Sequence, residues 1–416
     1  MKTSNELKQT AKDTFRLKTF LGSWEMILVY ILILINLILV VFKTELYFTP
    51  GTITSIIQSS LDLSFMVMGM IFVLMLGDID VSIASIMIAG AMTFGLVYEA
   101  GLGTFAAIVC CLLTGAVCGL FNGFLVAVVK MPAVIVTIST SMLYRGSVQI
   151  ILGVNSLKNF PAWMGKLGWG NFLGIPIILW CFILATVLFG FILQKTKFGR
   201  SLYIIGNNRT AAIYSGLPVT RIKMTVFTIM GIMAGVSAVF FIGRFGGVSS
   251  TMATGYELDV IAITVLGGVS SNGGKGKVYG PFISALLMEF LFYALGLFGV
   301  EANTRKIITG LVLIAAIMVP HINSRNPAIL KLYQIFFCSN SREIAGLKLA
   351  LKKELAECDE LIRQLRRDSS LDPDKKQAKI AAIQEKMQEA GKKTQSAVAH
   401  VRKDMEQLKK SGKTTA

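Results

Sequence analysis

Charged side chains are scarce in this chain: 16% of its 416 residues are Asp, Glu, Lys or Arg, whereas 54% are hydrophobic. In a soluble domain about a quarter of the residues are charged. The apolar residues also form long runs without charge, which a water-soluble core does not need. The short alternating segments that build membrane β-barrels are missing. The composition therefore predicts an all-α polytopic membrane protein.

Histidine and paired cysteine are also rare. The two histidines, His321 and His400, lie far apart in the sequence, and the six cysteines include no C-x-x-C pair. We therefore expect neither a metal site nor a disulfide framework. The first apolar run, 26–42, follows a leader that bears Lys and Arg and lacks a small-residue cleavage site. We expect this run to remain as the first membrane span.

A nucleotide-binding motif is missing as well. The segment GGVSSNGGKG at 267–276 resembles a phosphate loop, but Val269 stands where the Walker pattern needs Gly, and Gly276 where it needs Ser or Thr. Nothing else in the sequence suits nucleotide hydrolysis. We therefore expect no enzymatic activity and no cofactor in this chain, and if ATP is used, another polypeptide hydrolyses it. A flexible turn is one interpretation of the glycine run, and a structural role is the other. The glycines concerned are Gly267, Gly268, Gly273 and Gly274.

The apolar runs predict about ten membrane segments between residues 26 and 320, counting 260–269, which is too short to cross a bilayer alone. The formal net charge is +17, and in a membrane protein such an excess follows the positive-inside rule rather than indicating nucleic-acid binding. With the N-terminus inside, the inner loops hold more than twice as many Lys and Arg as the outer loops. We therefore predict that both termini are cytoplasmic. The outer loops then hold Lys43, Lys158, Lys166, Arg244, Arg305 and Lys306.

The stretch from Lys195 to Lys223 carries six basic residues and no acidic residue. Its middle predicts one short helix from Arg209 to Ser215, capped by Asn207 or Asn208. Gly216 supplies the positive φ that ends a helix, and Pro218 prevents its continuation. A basic loop with a defined helix is more than a tether between two spans.

Polar residues at membrane depth are costly and therefore informative. They are Asp62, Asp78, Asp80, Asn122, Arg145 and Glu289. An ion-driven carrier needs several acids that face one another, whereas these acids are dispersed and Glu289 has no evident partner. Glu289 either lines a pore or bonds to neighbouring helices. Glu257 and Asp259, next to Tyr256, either face the mouth of a pathway or cap a helix.

The chain divides into a cytoplasmic amphipathic leader (1–25), a transmembrane domain (26–320) and a cytoplasmic charged tail (321–416). Apolar residues in the tail recur at heptad spacing from Ile344 to Leu365 and again from Ile380 to Leu408, with a break at 368–370. This pattern predicts a helical hairpin or a coiled coil. A partly ordered charged tail is the alternative.

The segment FGRSLYIIGNNRTAAIYSG, at 198–216, resembles the cytoplasmic loop of permease subunits of ribose-type ABC importers, in the branched-chain amino acid/ribose permease superfamily. GYELDVIA at 255–262, with the glycine run after it, resembles the second signature of that family. GDIDVS at 77–82 resembles a third motif, and the stretch from Asn122-Gly123 to Arg145-Gly146 also fits. Two positions depart from the pattern: Asp78 replaces a family glycine, and Ala84 stands where another falls.

The resemblance implies a type II-like ABC importer permease in the bacterial cytoplasmic (inner) membrane. Its partners would be two ABC ATP-binding subunits, which bind ATP-Mg, a second permease copy or homologue, and an extracytoplasmic sugar-binding protein that delivers a monosaccharide or similar solute. The residues that would couple to the ATPase are Asn207, Asn208, Arg209, Thr210, Ala211, Ala212, Ser215 and Gly216. Those that would contact the pathway or the binding protein are Asp78, Asp80, Tyr256, Glu257, Asp259 and Glu289. The alternatives are an ion-coupled carrier or channel, and a membrane scaffold that acts through its tail.

Overall fold

The structure, a computed structural model, describes residues 24–321 without 48, 50, 60 and 159, together with residues 351, 354–364 and 373–410. Most of the predicted leader and the predicted break at 368–370 lie outside the described residues. The chain separates into two compact units, Met1–Val319 and Pro320–Ala416.

The first unit is a helical bundle with two very small sheets. Its helices are α1 Trp24–Phe42, α2 Thr44–Tyr47, α3 Thr52–Gln58, α4 Ser64–Met75, α5 Ile83–Glu99, α6 Thr104–Ala127, α7 Ala133–Leu152, α8 Ala162–Trp169, α9 Ile177–Lys195, α10 Lys197–Asn207, α11 Arg209–Tyr214, α12 Val219–Phe245, α13 Tyr256–Leu266, α14 Tyr279–Leu297 and α15 Ala302–His321. The strands are β1 Ser156–Lys158, β2 Asn171–Phe172, β3 Ile175–Pro176 and β4 Gly247–Ser249, with β1 antiparallel to β4 and β2 antiparallel to β3.

Six helices in the described part are long and apolar enough to cross a membrane: α1, α6, α7, α9, α12 and α14. The count rises to seven if a bent pair is taken as one span. Its first arm is α3, and its second arm, Leu61–Met75, consists of a short 3-10 turn and α4 and is bent from the first by 43°. The multi-pass helical architecture is therefore confirmed. The count of ten stays a prediction.

Close packing of α6 against α12 forms the centre of the bundle. A Cβ atom on Gly115 would lie 2.2 Å from the carbonyl oxygen of Gly231, and one on Gly119 would lie 2.3 Å from that of Phe227. Small residues therefore let the two backbones touch, as the abundance of glycine in these spans predicts. Helix α4 lies beside α12, and each of its residues from Ser64 to Met75 is buried.

The first unit has two distinct ends. At one end the β1–β4 sheet ties the loop after α7 to the loop after α12, with Leu157 opposite Val248. Helix α8 covers the same end, where the indole nitrogen of Trp169 donates to the carbonyl of Arg244 at 2.9 Å. Helix α12 has 27 residues and is therefore about 40 Å long. Its two ends therefore lie at opposite ends of the bundle.

The second unit contains helical residues 354–364 and the helix α16, Pro373–Lys410. Pro373 occupies the first helical position, where its missing N–H costs nothing. Lys393 and Glu389 form an ion pair of 2.9 Å one turn apart on α16. The charge of Glu354 also acts on Lys393, so the two helical segments are neighbours. The helical hairpin itself stays a prediction.

Candidate functional site

The basic stretch contains two helices, α10 and α11, of which the sequence predicts only the second. Thr196 caps α10 by accepting a hydrogen bond from the amide of Gly199 at 3.1 Å. The helix predicted at 209–215 is present as α11, and it is Asn208 rather than Asn207 that caps it. The Asn208 side chain accepts a hydrogen bond from the amide of Ala211 at 3.0 Å.

Helix α11 presents apolar side chains to solvent. Ala212 is fully buried against the bundle, whereas Ile213 is 54% exposed and Tyr214 is 87% exposed. Arg209, Thr210, Ala211 and Ser215 are exposed as well. Gly216, with φ of 77°, then ends the segment as the sequence predicts. Helix α11 thus ends in an exposed pair of apolar side chains, Ile213 and Tyr214.

The glycine run packs tightly against the C-terminal end of α10. The amide of Gly274 donates to the carbonyl of Met75, the last residue of α4, at 2.9 Å. A Cβ atom on Gly206 would lie 2.0 Å from that carbonyl oxygen. The hydroxyl of Tyr203 donates to the carbonyl of Gly276 at 2.7 Å. We call this meeting of residues 75–77, 203–207 and 273–276 the loop junction.

Each predicted structural glycine has a steric or conformational reason at this end of the bundle. Gly268, Gly273 and Gly274 have φ values of 85°, 85° and 70°, which L side chains rarely adopt. Gly267 has an ordinary φ, but a Cβ there would lie 2.3 Å from the nitrogen of Pro281 at the start of α14. The indole nitrogen of Trp24 donates to the carbonyl of Leu266 at 2.7 Å, which attaches the first helix to the same loop.

Asp78 is paired with a basic residue that the sequence alone does not suggest. Its carboxylate lies 2.6 Å from the ammonium group of Lys223, and the two side chains are only 14% and 6% exposed. Lys223 therefore does not act as a free charge of the basic loop, where the sequence pattern placed it. It lies in the second turn of α12 and holds the turn that follows α4.

Asp80 belongs to a buried hydrogen-bond network. Its carboxylate accepts bonds from the Ser82 amide at 2.8 Å and the Ser82 hydroxyl at 2.6 Å. The Asn122 amide donates to that hydroxyl at 2.8 Å, and Tyr144 donates to the Asn122 oxygen at 3.0 Å. The network joins α5, α6 and α7, so the structure places Asp80 in a packed interface.

A second ion pair lies at the opposite end of α12. The Arg244 guanidinium lies 3.1 Å from the Asp62 carboxylate, with exposures of 7% and 0%. Arg244 also donates to the Tyr256 hydroxyl at 2.9 Å. Glu289 is 1% exposed and accepts from Ser59 at 3.4 Å. Glu289 thus accepts a hydrogen bond from a neighbouring segment, and the charges of Arg244 and Asp62 act on its carboxylate.

Residues 250–259 complete this second end. The Arg145 guanidinium donates to the carbonyls of Ser250 and Met252 at 3.3 and 3.1 Å. Glu257 and Asp259 lie in the first turn of α13, where negative charge is favoured. The Asp259 carboxylate also accepts a hydrogen bond from Thr309 on α15. Both acids therefore lie where the helix favours negative charge, and Asp259 also lines a cavity.

Sequence reasoning missed Lys223 and Arg244 as parts of the site. Both were counted among loop charges, because a basic residue at the edge of an apolar run fits the positive-inside pattern. Their acidic partners are more than 140 residues away in the sequence. The available signal was that Asp62 and Asp78 are costly at membrane depth without a cation. Among the described residues, no group of three His, Cys, Asp or Glu is placed to hold a metal ion.

Comparisons with known proteins agree on one family. Residues 52–317 match the family described as "Branched-chain amino acid transport system / permease component". The chain is similar to the autoinducer 2 import system permease protein LsrC of Escherichia coli O157:H7, with 33% identity over 69% of this chain and 84% of the relative. It is 34% identical to LsrC of Shigella flexneri over 67% and 81%. It is 33% identical to LsrC of Yersinia pestis (strain Pestoides F) over 65% and 78%.

No solved structure matches the chain. The family match begins at α3 and ends within α15, so it leaves out α1 and α2 but includes both ion pairs described above. The chain therefore belongs to the branched-chain amino acid transport system/permease component family, as a permease subunit of a sugar-type ABC importer.

Proposed function

We propose that this chain forms the translocation path for a monosaccharide or a similar small hydroxylated solute, which a binding protein delivers from outside the bacterial cytoplasmic membrane. The relatives that carry the name of autoinducer 2 importers make autoinducer 2 the first solute to test. Two ATP-binding subunits bind from the cytoplasm, and a second permease copy or homologue completes the path. Both termini then lie in the cytoplasm.

The proposal depends on how firmly α11 is fixed to the bundle at both of its ends. The two ATP-binding subunits, which we call the motor, close on ATP and must push on a rigid element of the permease. A loose loop would absorb the movement. Helix α11 is capped at Asn208, buried at Ala212 and stopped at Gly216, while Tyr214 projects into solvent. We assign Tyr214 and Ile213 as the side chains that enter a groove of the ATP-binding subunit.

The loop junction gives that push a route into the bundle. Helix α11 follows α10 after a single residue, and α10 ends at Asn207, beside the glycine run. There the backbones of Gly206, Gly274 and Met75 touch without intervening side chains. Backbone contact of this kind yields little, because packed interiors are dense. Displacement of α11 therefore moves the end of α4.

The test is reconstitution of the chain with its ATP-binding subunits and binding protein in liposomes, followed by ATP-dependent uptake of autoinducer 2 and ribose. Tyr214→Ala is expected to abolish most uptake while the ATP-binding subunits keep their own hydrolysis. Phe191→Ala is the matched control, because Phe191 is a similarly exposed aromatic residue, on α9.

Two outcomes would contradict the proposal. Uptake without ATP or ATP-binding subunits would indicate an ion-coupled carrier or channel instead. Normal uptake by Tyr214→Ala at normal membrane abundance would show that Tyr214 on α11 is not needed for contact with the ATP-binding subunit.

A further inference from the structure

We propose that a cavity of about 640 Å³ between Tyr256 and α15 is a binding site for a neutral, hydroxylated solute in transit. The proposal rests on the proposed function and adds the place and the chemical class of the solute. The site lies within one permease chain, at the end of the bundle that contains the Asp62–Arg244 pair.

Most of the cavity wall is apolar. Leu63, Phe245, Leu258, Phe292 and Leu313 line it, on segments that are far apart in the sequence. Ligand pockets for small molecules typically combine such walls with a few convergent polar groups. The ring of a sugar needs both, because its C–H faces pack on apolar and aromatic surface while its hydroxyls require hydrogen bonds.

The polar groups of the cavity supply both a donor and an acceptor. Arg244 lines the cavity, and its Nε is buried with no hydrogen-bond partner among the described residues. A buried donor without a partner is unfavourable, and the oxygen of a bound hydroxyl would satisfy it. The carboxylate of Asp259, with further acceptor capacity beyond its bond to Thr309, lies on the facing helix. A hydroxyl can accept a hydrogen bond from the first and donate one to the second.

The charges around the cavity disfavour an anion. Arg244 is neutralised by Asp62 at 3.1 Å, and Lys306 acts on Asp259. Glu289 adds a further acid whose charge acts on the same guanidinium. Among the described residues, the cations that line the cavity are Arg244 and Lys306, and each lies close to an acid. A carboxylate or phosphate on the solute would therefore also meet the negative charges of Asp62, Asp259 and Glu289. This favours a neutral sugar-like solute over an amino acid or a sugar phosphate.

One side of the cavity is formed by a turn, and a side chain that does not line the cavity supports this turn. Thr254 and Gly255 line the cavity, and Arg145 on α7 bonds the carbonyls just before them. Ala253 and Gly255 both have positive φ, at 54° and 99°. The turn is therefore fixed in an unusual backbone shape by a side chain from a different helix. Such a support keeps the wall in place while a solute enters and leaves.

Cysteine protection tests the site without requiring transport. Leu313→Cys in the full-length chain, in membrane vesicles, is treated with a small maleimide, and labelling of the parent chain is subtracted. Leu311→Cys is the matched control, because Leu311 is exposed on the same helix and does not line the cavity. Autoinducer 2 or ribose is expected to slow labelling at 313 severalfold and to leave 311 unchanged. Ribose 5-phosphate at the same concentration is expected to protect neither position.

Absence of protection by both neutral probes, or equal protection by ribose 5-phosphate, would overturn the site. A second pair of variants tests it in the reconstituted importer. Leu313→Trp fills the cavity and is expected to lose most uptake at normal membrane abundance, whereas Leu311→Trp keeps it. Equal uptake in the two tryptophan variants would also overturn the site. Because protection is measured without ATP, failure of ATP-driven uptake in the native importer would count against the proposed function alone.

Discussion

The ammonium group of Lys223 lies 2.6 Å from the carboxylate of Asp78, in a setting where both side chains are almost fully buried. This contact joins the second turn of α12 to the turn after α4. At the far end of the same two helices, Arg244 pairs with Asp62, just before α4 begins. Helix α4 is thus fastened to α12 by an ion pair at each end.

Removing one partner of the first pair should be more harmful than removing both. Lys223→Met leaves Asp78 buried without its cation, which costs about 3–5 kcal/mol. We expect a clear fall in the thermal midpoint of the detergent-purified chain. Adding Asp78→Gly, the residue that the family pattern has at this position, should restore most of that loss. Lys195→Met serves as the control, since Lys195 is exposed.

The Asp62–Arg244 pair can be tested by a double-mutant cycle, which probes the end of the bundle that contains the cavity. Asp62→Leu leaves the Arg244 guanidinium buried beside Tyr256, so we expect a loss of about 3–5 kcal/mol of stability. Asp62→Leu combined with Arg244→Met should recover at least half of it. Thermal melting of the four proteins measures the coupling between the two residues. Additive losses would mean that the two groups act independently.

Gly206 should not accept even one methyl group. Its Cβ would lie 2.3 Å from the amide nitrogen of Gly274 and closer still to the Met75 carbonyl, and all of these are backbone atoms that cannot rotate away. Gly206→Ala is therefore expected to destabilise the chain by about 1–3 kcal/mol, as overpacking does. The measurement is the thermal midpoint together with the ratio of uptake to ATP hydrolysis. Gly190→Ala, with open space around it, should behave as the native chain.

Span positions were predictable where turn residues punctuate the apolar runs. The run 133–152 lies between Pro132 and Gly153, which mark its two ends in the sequence, and it forms α7 with these bounds. The bend between α3 and α4 was not predicted, although Gln58, Ser59 and Asp62 interrupt the apolar sequence there. Helix α10 was missed because its basic side chains were interpreted as loop charges. Its apolar side packs on the bundle through Leu202 and Ile205.

The candidate site was predictable in its local parts only. The Asn208 cap and the Gly216 stop depend on neighbours in sequence, and the pattern indicates both. The Asp62–Arg244 and Asp78–Lys223 pairs depend on tertiary contacts, and nothing in the spacing of those residues identifies them. The same holds for the glycine run. Its residue types indicate unusual backbone angles, but only the fold shows that α10 and the end of α4 occupy the space beside it.

The cap of α11 provides the most selective test of coupling. Asn208→Ala removes the bond to the Ala211 amide and should cost about 1 kcal/mol locally, because a six-residue helix has few other bonds. Since α11 lies at the surface, the bundle itself should stay intact. We expect a normal thermal midpoint with a reduced ratio of solute taken up to ATP hydrolysed in proteoliposomes.

Asn208→Asp and Asn208→Ser keep an oxygen that can accept the same bond, so both should retain most of the native ratio. Asp adds a negative charge near the positive end of the helix, whereas Ser adds none. Equal activity of the two therefore indicates that the cap bond, rather than charge, sets the coupling. If Asn208→Ala coupled as well as the native chain, the rigidity of α11 would not be what transmits the push of the motor.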